Sequence, residues 1–282
     1  MQQKKIKILI ASHKPDKVYQ DDVYTPIHVG RAISKFKEEM AWMIGDDIGE
    51  NISKKNPMYC ELTAQYWAWK NLANIEYVGF CHYRRYFQTK ITPENIDHIL
   101  GKKYDVILPQ PIIATHSIKD RLLLDSCQED FYIFISTLLK LYPDYKQTVY
   151  NYLFNNKVIP YNMFICHREL FNNYATWLFS ILFEAEKIVK LAGYTRMRRV
   201  FGYYGEAFLP IYMIHNHHKI FFDNVVSMLG NKAENINWIK KSIYNFKFKI
   251  RTLGRKCILT PNESVIIGLK NDGIDIDSNI NL

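Results

Sequence analysis

Cysteine is scarce and badly placed for a structural role. The five residues, Cys60, Cys81, Cys127, Cys166 and Cys257, are odd in number and widely spaced. No CxxC pair occurs, so neither a zinc knuckle nor a disulfide framework is supported. Reduced, mostly buried thiols in a cytosolic protein are expected. Long apolar runs are also missing. No stretch reaches about 18 uninterrupted apolar residues, so no membrane span is predicted. The opening MQQKKIKILIASHKP imitates a signal peptide, but its apolar run is too short for one, and a buried strand is the better reading. There is no internal repeat, no low-complexity linker and no recognisable nucleic-acid module.

What is present is globular. Of 282 residues, 48% are hydrophobic and 23% charged, which excludes a disordered or fibrous chain. Lys and Arg number 37 against 28 Asp and Glu, for a formal charge of +9. That surplus favours anionic partners, whether nucleotides, phospholipid headgroups or nucleic acid.

The order of elements predicts an α/β fold with a largely parallel central sheet. Residues 6–11 (IKILIA), 76–81 (EYVGFC), 104–109 (YDVILP) and 161–166 (YNMFIC) read as short buried strands, and 40–44 (MAWMI) as a further one. Asn56-Pro57 has the chemistry of a helix start, so a helix over 58–71 is expected. Helices are also predicted over 117–142 and from Glu169 to Ala192, the second closed by Gly193. Residues 198–218 read as a loop entering a helix. Near Ile236 the composition shifts. A main domain over 1–235 and a basic, aromatic C-terminal segment over 236–282 are expected.

Several residues carry candidate chemistry. Cys81-His82-Tyr83-Arg84-Arg85-Tyr86 puts two arginines and a histidine where a strand ends, and ligands of open α/β sheets bind outside carboxyl ends of strands. Arginine forks match phosphate oxygens, so a diphosphate clamp is one reading. Ion pairing to carboxylates such as Asp46 or Asp47 is the other. His13 and Lys14 follow the first strand and either face the same ligand or are surface charges. The loop from Gly45 to Asn56 offers Asp46, Asp47 and Asn51, suited to sugar or ribose hydroxyls or simply to water. Asp46 and Asp47 could also hold Mn²⁺ or Mg²⁺, although an adjacent pair is a weak metal signal. Glu206, in GYYGEAF after Arg196, Arg198 and Arg199, is either a general base or the partner that satisfies those arginines. Asp130 is the other candidate acid. The histidines at 215, 217 and 218 lack the partners of a metal site, and Asp275-Ile276-Asp277 lies too near the chain's end for one. Residues 238–256 interleave aromatics with Lys and Arg and contain no acid. They suit an anionic membrane surface, with a solvated face or single-stranded nucleic acid as the alternatives.

Seven stretches together resemble a bacterial family known as domain of unknown function 4422, found among capsular and exopolysaccharide biosynthesis proteins. They are IKILIASHKP, YTPIHVG, DDIGENISKKNPMYCELTAQYWAWKN, YVGFCHYRRYF, YDVILPQP, YNMFICHRELF and RVFGYYGEAFL. The resemblance implies a GT-A-like nucleotide-binding fold and a glycosyltransferase. Its implied donor is a uridine-diphosphate sugar, galactofuranose or galactose favoured, and its acceptor a lipid-linked or oligosaccharide precursor of a surface polysaccharide. The family's motifs fall on Asp46, Asp47 and Asn51 and on His82, Arg84 and Arg85, which are then expected at the donor, with His13 and Lys14 beside them from the loop after the first strand. Tyr161, Asn162 and Arg199 are then expected at the acceptor, with Glu206 and Asp130 catalytic, no firm metal and no nucleic acid. A cytoplasmic protein on the inner membrane face is expected. One departure concerns Asp130: many members carry a histidine four residues earlier, where this chain has Ser126. A non-catalytic nucleotide- or carbohydrate-binding protein of the same fold is the alternative.

Overall fold

The computed structural model describes residues 5–101, 103–226, 238–253, 259 and 261–276. In chain order its strands are β1 (Ile6–Ser12), β2 (Tyr24–His28), β3 (Ile44–Gly45), β4 (Tyr77–His82), β5 (Tyr86–Phe87), β6 (Val106–Pro109), β7 (Ile112–Ile113), β8 (Lys157–Val158), β9 (Phe164–His167), β10 (Ile220–Asp223) and β11 (Val225–Val226). The helices are α1 (Asn56–Tyr59), α2 (Leu62–Asn71), α3 (Ile96–Ile99), α4 (Ile118–Asp125), α5 (Gln128–Leu141), α6 (Lys146–Leu153), α7 (Arg168–Glu186), α8 (Val200–His215), α9 (Trp238–Thr252) and α10 (Glu263–Asn271). The chain groups into two units. One comprises residues 1–111, 159–176 and 216–235; the other comprises 112–158, 177–215 and 236–282.

The first unit is built on a seven-stranded sheet of order β10-β6-β9-β4-β1-β2-β3. Strand β1 pairs in parallel with both β2 and β4, and β10 with β6. Only β9 is reversed, antiparallel to β4 and β6. The expected α/β fold with a largely parallel sheet flanked by helices is what forms. Strand β1 is central because Ile8, Leu9 and Ile10 are buried on both of its faces. On one face Phe80 packs against Phe164 and Phe171, with ring centroids 5.1 and 5.2 Å apart. On the other, Ile8, Ile10, Cys81, Ile107 and Ile165 form a continuous apolar layer. Gly79 sits in the middle of β4 because its neighbours leave no room. A Cβ there would lie 2.7 Å from Cγ1 of Ile165 and 3.1 Å from Cγ1 of Ile8.

The second unit is mainly helical and aromatic. Phe134 of α5 stacks on Tyr204 of α8 at 4.1 Å, and Trp177 meets Phe208 and Tyr212. A two-stranded antiparallel pair, β7 with β8, belongs to the same unit. Helix α9 is joined to it through Asn245, whose Oδ1 accepts from Nδ2 of Asn156 at 3.0 Å.

Some expectations on individual elements need correction. Residues 40–43 form turns, and only Ile44–Gly45 pairs as a strand. Met40 and Met43 are buried from within those turns. The strands of this sheet that were missed are β2 and β10; Pro26 of β2 lies where β3 does not pair, because β3 meets only Ile27 and His28. The helix expected over 58–71 is two, broken at Cys60, which has a φ of 52°. The one over 117–142 is likewise broken, at Ser126 and Cys127. Helix α7 ends at Glu186, well before Gly193. The basic segment is helical over Trp238–Thr252; residues 254–258, Cys257 among them, lie outside the described residues, as does Asp277.

Substituting Gly79→Val isolates the close approach of β1, β4 and β9, because Val otherwise favours a strand. It is expected to destabilise the protein by about 1–3 kcal/mol through overpacking. Urea unfolding measures this, and an unchanged midpoint would contradict the packing described.

Candidate functional site

Strand order reverses at β1. The chain runs from β1 outward to β2 and β3, then returns to place β4 on the other side. Such a switch point leaves a crevice beyond the carboxyl ends of the two strands. The segments leaving β1 and β4 therefore decide what the sheet presents there.

Beyond β4 the chain folds back at once. The N–H of Arg85 donates to the carbonyl of His82 at 2.8 Å, and the N–H of His82 to the carbonyl of Arg85 at 3.2 Å. This two-residue turn carries Tyr83 and Arg84 at its tip. Tyr83 is buried, and its N–H extends the ladder by donating to Ala11 at 3.1 Å. Its ring is a platform: His82 lies 4.5 Å away, the His13 ring meets it edge-on at 5.5 Å, and the Arg84 guanidinium sits 4.9 Å from its centre.

The two arginines have different surroundings. Nε of Arg84 donates to Oδ2 of Asp16 at 3.1 Å, and this bond holds the Asp16 carboxyl below its ordinary pKa. The Lys14 charge acts on Asp16 in the same sense. Arg84 is thus paired, but with Asp16 rather than Asp46 or Asp47. Arg85 lies over the ring of Tyr161 at 4.3 Å. Among the described residues its guanidinium has no carboxylate partner.

Tyr161 and Asn162 reach this place because β9 runs backwards. Phe164 pairs with Phe80, so the residues before β9 lie beside the carboxyl end of β4. Both take left-handed backbone, with φ of 83° and 52°, which Asn adopts more readily than most residues but which is uncommon for Tyr. Helix α2 and its approach hold them: Nδ2 of Asn162 donates to Oε1 of Glu61 at 2.8 Å, and Nε2 of Gln65 donates to the Asn162 carbonyl at 3.2 Å.

The acidic loop after β3 is a different construction. Asp46 is fully buried. Its oxygens accept from the N–H of Gly30 at 2.8 Å, the N–H of Arg31 at 3.1 Å and the hydroxyl of Ser53. Asp47 faces Nε of Arg31 at 3.6 Å. Asn51 donates to the carbonyls of Asp47 and Gly49 and accepts from the N–H of Ser53. These bonds explain the loop's composition as self-bracing. They also commit both Asp46 oxygens to the loop's own donors, with Asp47 turned to Arg31, so the pair presents no preformed site for a divalent metal. No group of three or more His, Cys, Asp or Glu among the described residues fits one either.

The remaining expected residues belong to the second unit. Asp130 is buried in the first turn of α5, and burial raises its pKa. Its N–H donates to Sγ of Cys127, and nearby the Ser126 and Tyr204 hydroxyls are 3.0 Å apart. Glu206 lies on α8, half-buried, and Arg199 is exposed with its guanidinium 5.7 Å from the Tyr203 ring. Of the histidines, His215 is held by Asp144 at 3.1 Å and stacks on Tyr145, while His218 faces Asp105.

Two residues of the first unit escaped sequence reasoning. Asp16 is 68 positions from Arg84, and no local signal joins them. His28, at the end of β2 opposite Ser12, is fully buried with neither ring nitrogen bonded among the described residues, and burial lowers its pKa.

A family model described as domain of unknown function (DUF4422) matches residues 7–217. The chain belongs to that family. The match takes in the whole of the switch-point cluster, and the DUF4422 portion ends before α9. A solved structure titled as the WbbM bifunctional glycosyltransferase in its apo form is similar to this chain, with a TM-score of 0.66 and 27% identity. The similarity covers 81% of this chain but 46% of that one, so the chain spans less than half of that protein's length. No curated protein matches.

If Asp46 braces the loop, Asp46→Ala should cost roughly 2–4 kcal/mol, from about 1–3 kcal/mol per buried donor left without a partner. Asp47→Ala, which removes a partly exposed ion pair, should cost under about 1 kcal/mol. Thermal or urea unfolding of the two variants checks this; equal, small losses would contradict it.

Proposed function

We propose that the protein is a glycosyltransferase whose donor diphosphate is held by side-chain cations at the β1–β4 crevice. The observation that carries the reading is Arg85. Its guanidinium lies over the Tyr161 ring, and among the described residues no acid neutralises its hydrogen-bonding edge. A pre-positioned guanidinium fork is well suited to phosphate oxygens. Arg84, His82, His13 and Lys14 add positive or donor character beside it, tempered by Asp16. The likeness to a bifunctional glycosyltransferase supports the same class.

Sugar transfer requires the bond from the anomeric carbon to the diphosphate to break. Negative charge grows on the departing diphosphate, and fixed cations stabilise that charge most where it develops. In this reading Arg85, with Arg84 and His82, meets that demand without Asp46 or Asp47 holding a metal. The acceptor hydroxyl must lose its proton, and Glu206 is the base proposed for it. Asp130, withdrawn from solvent beside Cys127, is the less suited of the two acids. Tyr161, Asn162 and Arg199 are proposed for the acceptor. The donor proposed is a uridine-diphosphate hexose, galactofuranose or galactose, and the acceptor a lipid-linked or oligosaccharide precursor of a surface polysaccharide.

Titration calorimetry with uridine diphosphate, together with turnover of uridine-diphosphate hexoses, tests both parts. Arg85→Ala should weaken binding roughly 10–100-fold, corresponding to about 1.5–3 kcal/mol for a hydrogen bond to a charged group. Glu206→Gln should leave that affinity intact and lower turnover on the order of 10²–10⁴-fold. Unaltered binding by Arg85→Ala, or transfer abolished by EDTA, would defeat the clamp. Tight binding with no transfer to any acceptor would instead favour a non-catalytic nucleotide-binding protein.

A further inference from the structure

We propose that α9 docks on the surface of an anionic phospholipid bilayer, an inference independent of the sugar-transfer reading. The helix carries Lys240, Lys241, Lys247, Lys249 and Arg251 and no acidic residue. Composition alone leaves open which side of it the rest of the protein covers. The structure answers that. The half-buried positions are Tyr244, Asn245, Phe248 and Thr252. Asn245 bonds Asn156, and Arg251 donates to the Thr115 carbonyl at 3.3 Å. These residues define the side turned to the second unit.

The opposite side is apolar and open. Ile239, Ile243, Phe246, Ile250 and Leu253 follow at spacings of four, three, four and three, which aligns them along one stripe. Their exposures are 49%, 46%, 63%, 57% and 83%, so the stripe stays largely open to solvent among the described residues. At 100° per residue the stripe is centred about 180° from the half-buried side. Lys240 and Lys247 flank it on one edge and Lys249 on the other. Trp238, 74% exposed, stands at the start of the helix.

An apolar stripe edged by cations is the pattern of a helix lying in the headgroup region. Its apolar side enters the acyl boundary while the lysines reach anionic phosphates. The same 4-3 spacing would also suit pairing with a second copy, but charge argues against it. Two such helices joined along the stripe would bring lysines of one against lysines of the other, with no acid on either to compensate. An anionic lipid surface supplies the missing sign. None of the helices among the described residues is long and apolar enough to cross a membrane, so docking of this kind is attachment and not insertion.

The test is sedimentation of the full chain with vesicles of phosphatidylcholine alone and of phosphatidylcholine mixed with phosphatidylglycerol. Binding to the mixed vesicles, lost in high salt and weak on neutral ones, is expected. The double variant Ile243→Glu, Phe246→Glu should bind at least roughly tenfold more weakly. Both positions are exposed, so its circular dichroism and melting temperature should match those of the parent. Leu124→Glu, an equally exposed apolar site on α4, should bind as the parent does. Failure of the parent to bind mixed vesicles, or equal binding by the double variant, would overturn the proposal. So would a parent dimer in sedimentation velocity that the double variant turns into a monomer, because a second copy would then own the stripe.

Discussion

Two backbone hydrogen bonds between His82 and Arg85 turn the chain directly beyond β4, and the character of the crevice follows from that turn. A longer loop would let the two arginines find carboxylates freely. The tight turn instead sends them to separate neighbours. Arg84 is tied to Asp16, while Arg85 lies on the Tyr161 ring. Tyr161 is there because one strand of the sheet runs backwards, and because Glu61 and Gln65 hold the left-handed segment that precedes it. The result, among the described residues, is one neutralised guanidinium and one that is oriented but uncompensated. Orienting a cation before its anion arrives lowers the cost of ordering it later.

The nearby acids are disposed consistently with this. Asp46 is buried and its oxygens are consumed by Gly30, Arg31 and Ser53, so it acts as a peg for the loop after β3. Asp47 is turned to Arg31. Had either carboxylate reached the β4 turn, it would have cancelled the charge there. The separation of a self-braced acidic loop from a cationic turn keeps positive potential at the switch point, where a low-dielectric wall strengthens it.

Much of the sheet was legible because buried parallel strands leave an unmistakable mark. Residues 6–11, 76–81 and 104–109 are short apolar runs ended by polar or breaking residues, and they became β1, β4 and β6. Strand β2 was not legible, because Pro26 and Thr25 interrupt its run and only the neighbouring register makes proline harmless. Residues 40–44 misled for the opposite reason: Met40 and Met43 supply an apolar run from turns that happen to be buried. The reversal of β9 carries no sequence signal at all, since orientation depends on the connection and not on the strand. At the site, the cationic cluster was readable as chemistry. Its partners were not, because Arg84 and Asp16 are joined only by the fold, as are Asp46 and the N–H of Gly30.

A crystal structure of the protein with uridine diphosphate bound is the most direct test of the central claim. The account predicts the diphosphate oxygens beyond the carboxyl ends of β1 and β4, within hydrogen-bond reach of the Arg85 guanidinium, with Asp46 still bonded to Gly30 and Arg31. A diphosphate bound elsewhere while Arg85 remains stacked and unoccupied, or one held through a metal on Asp46 and Asp47, would contradict it.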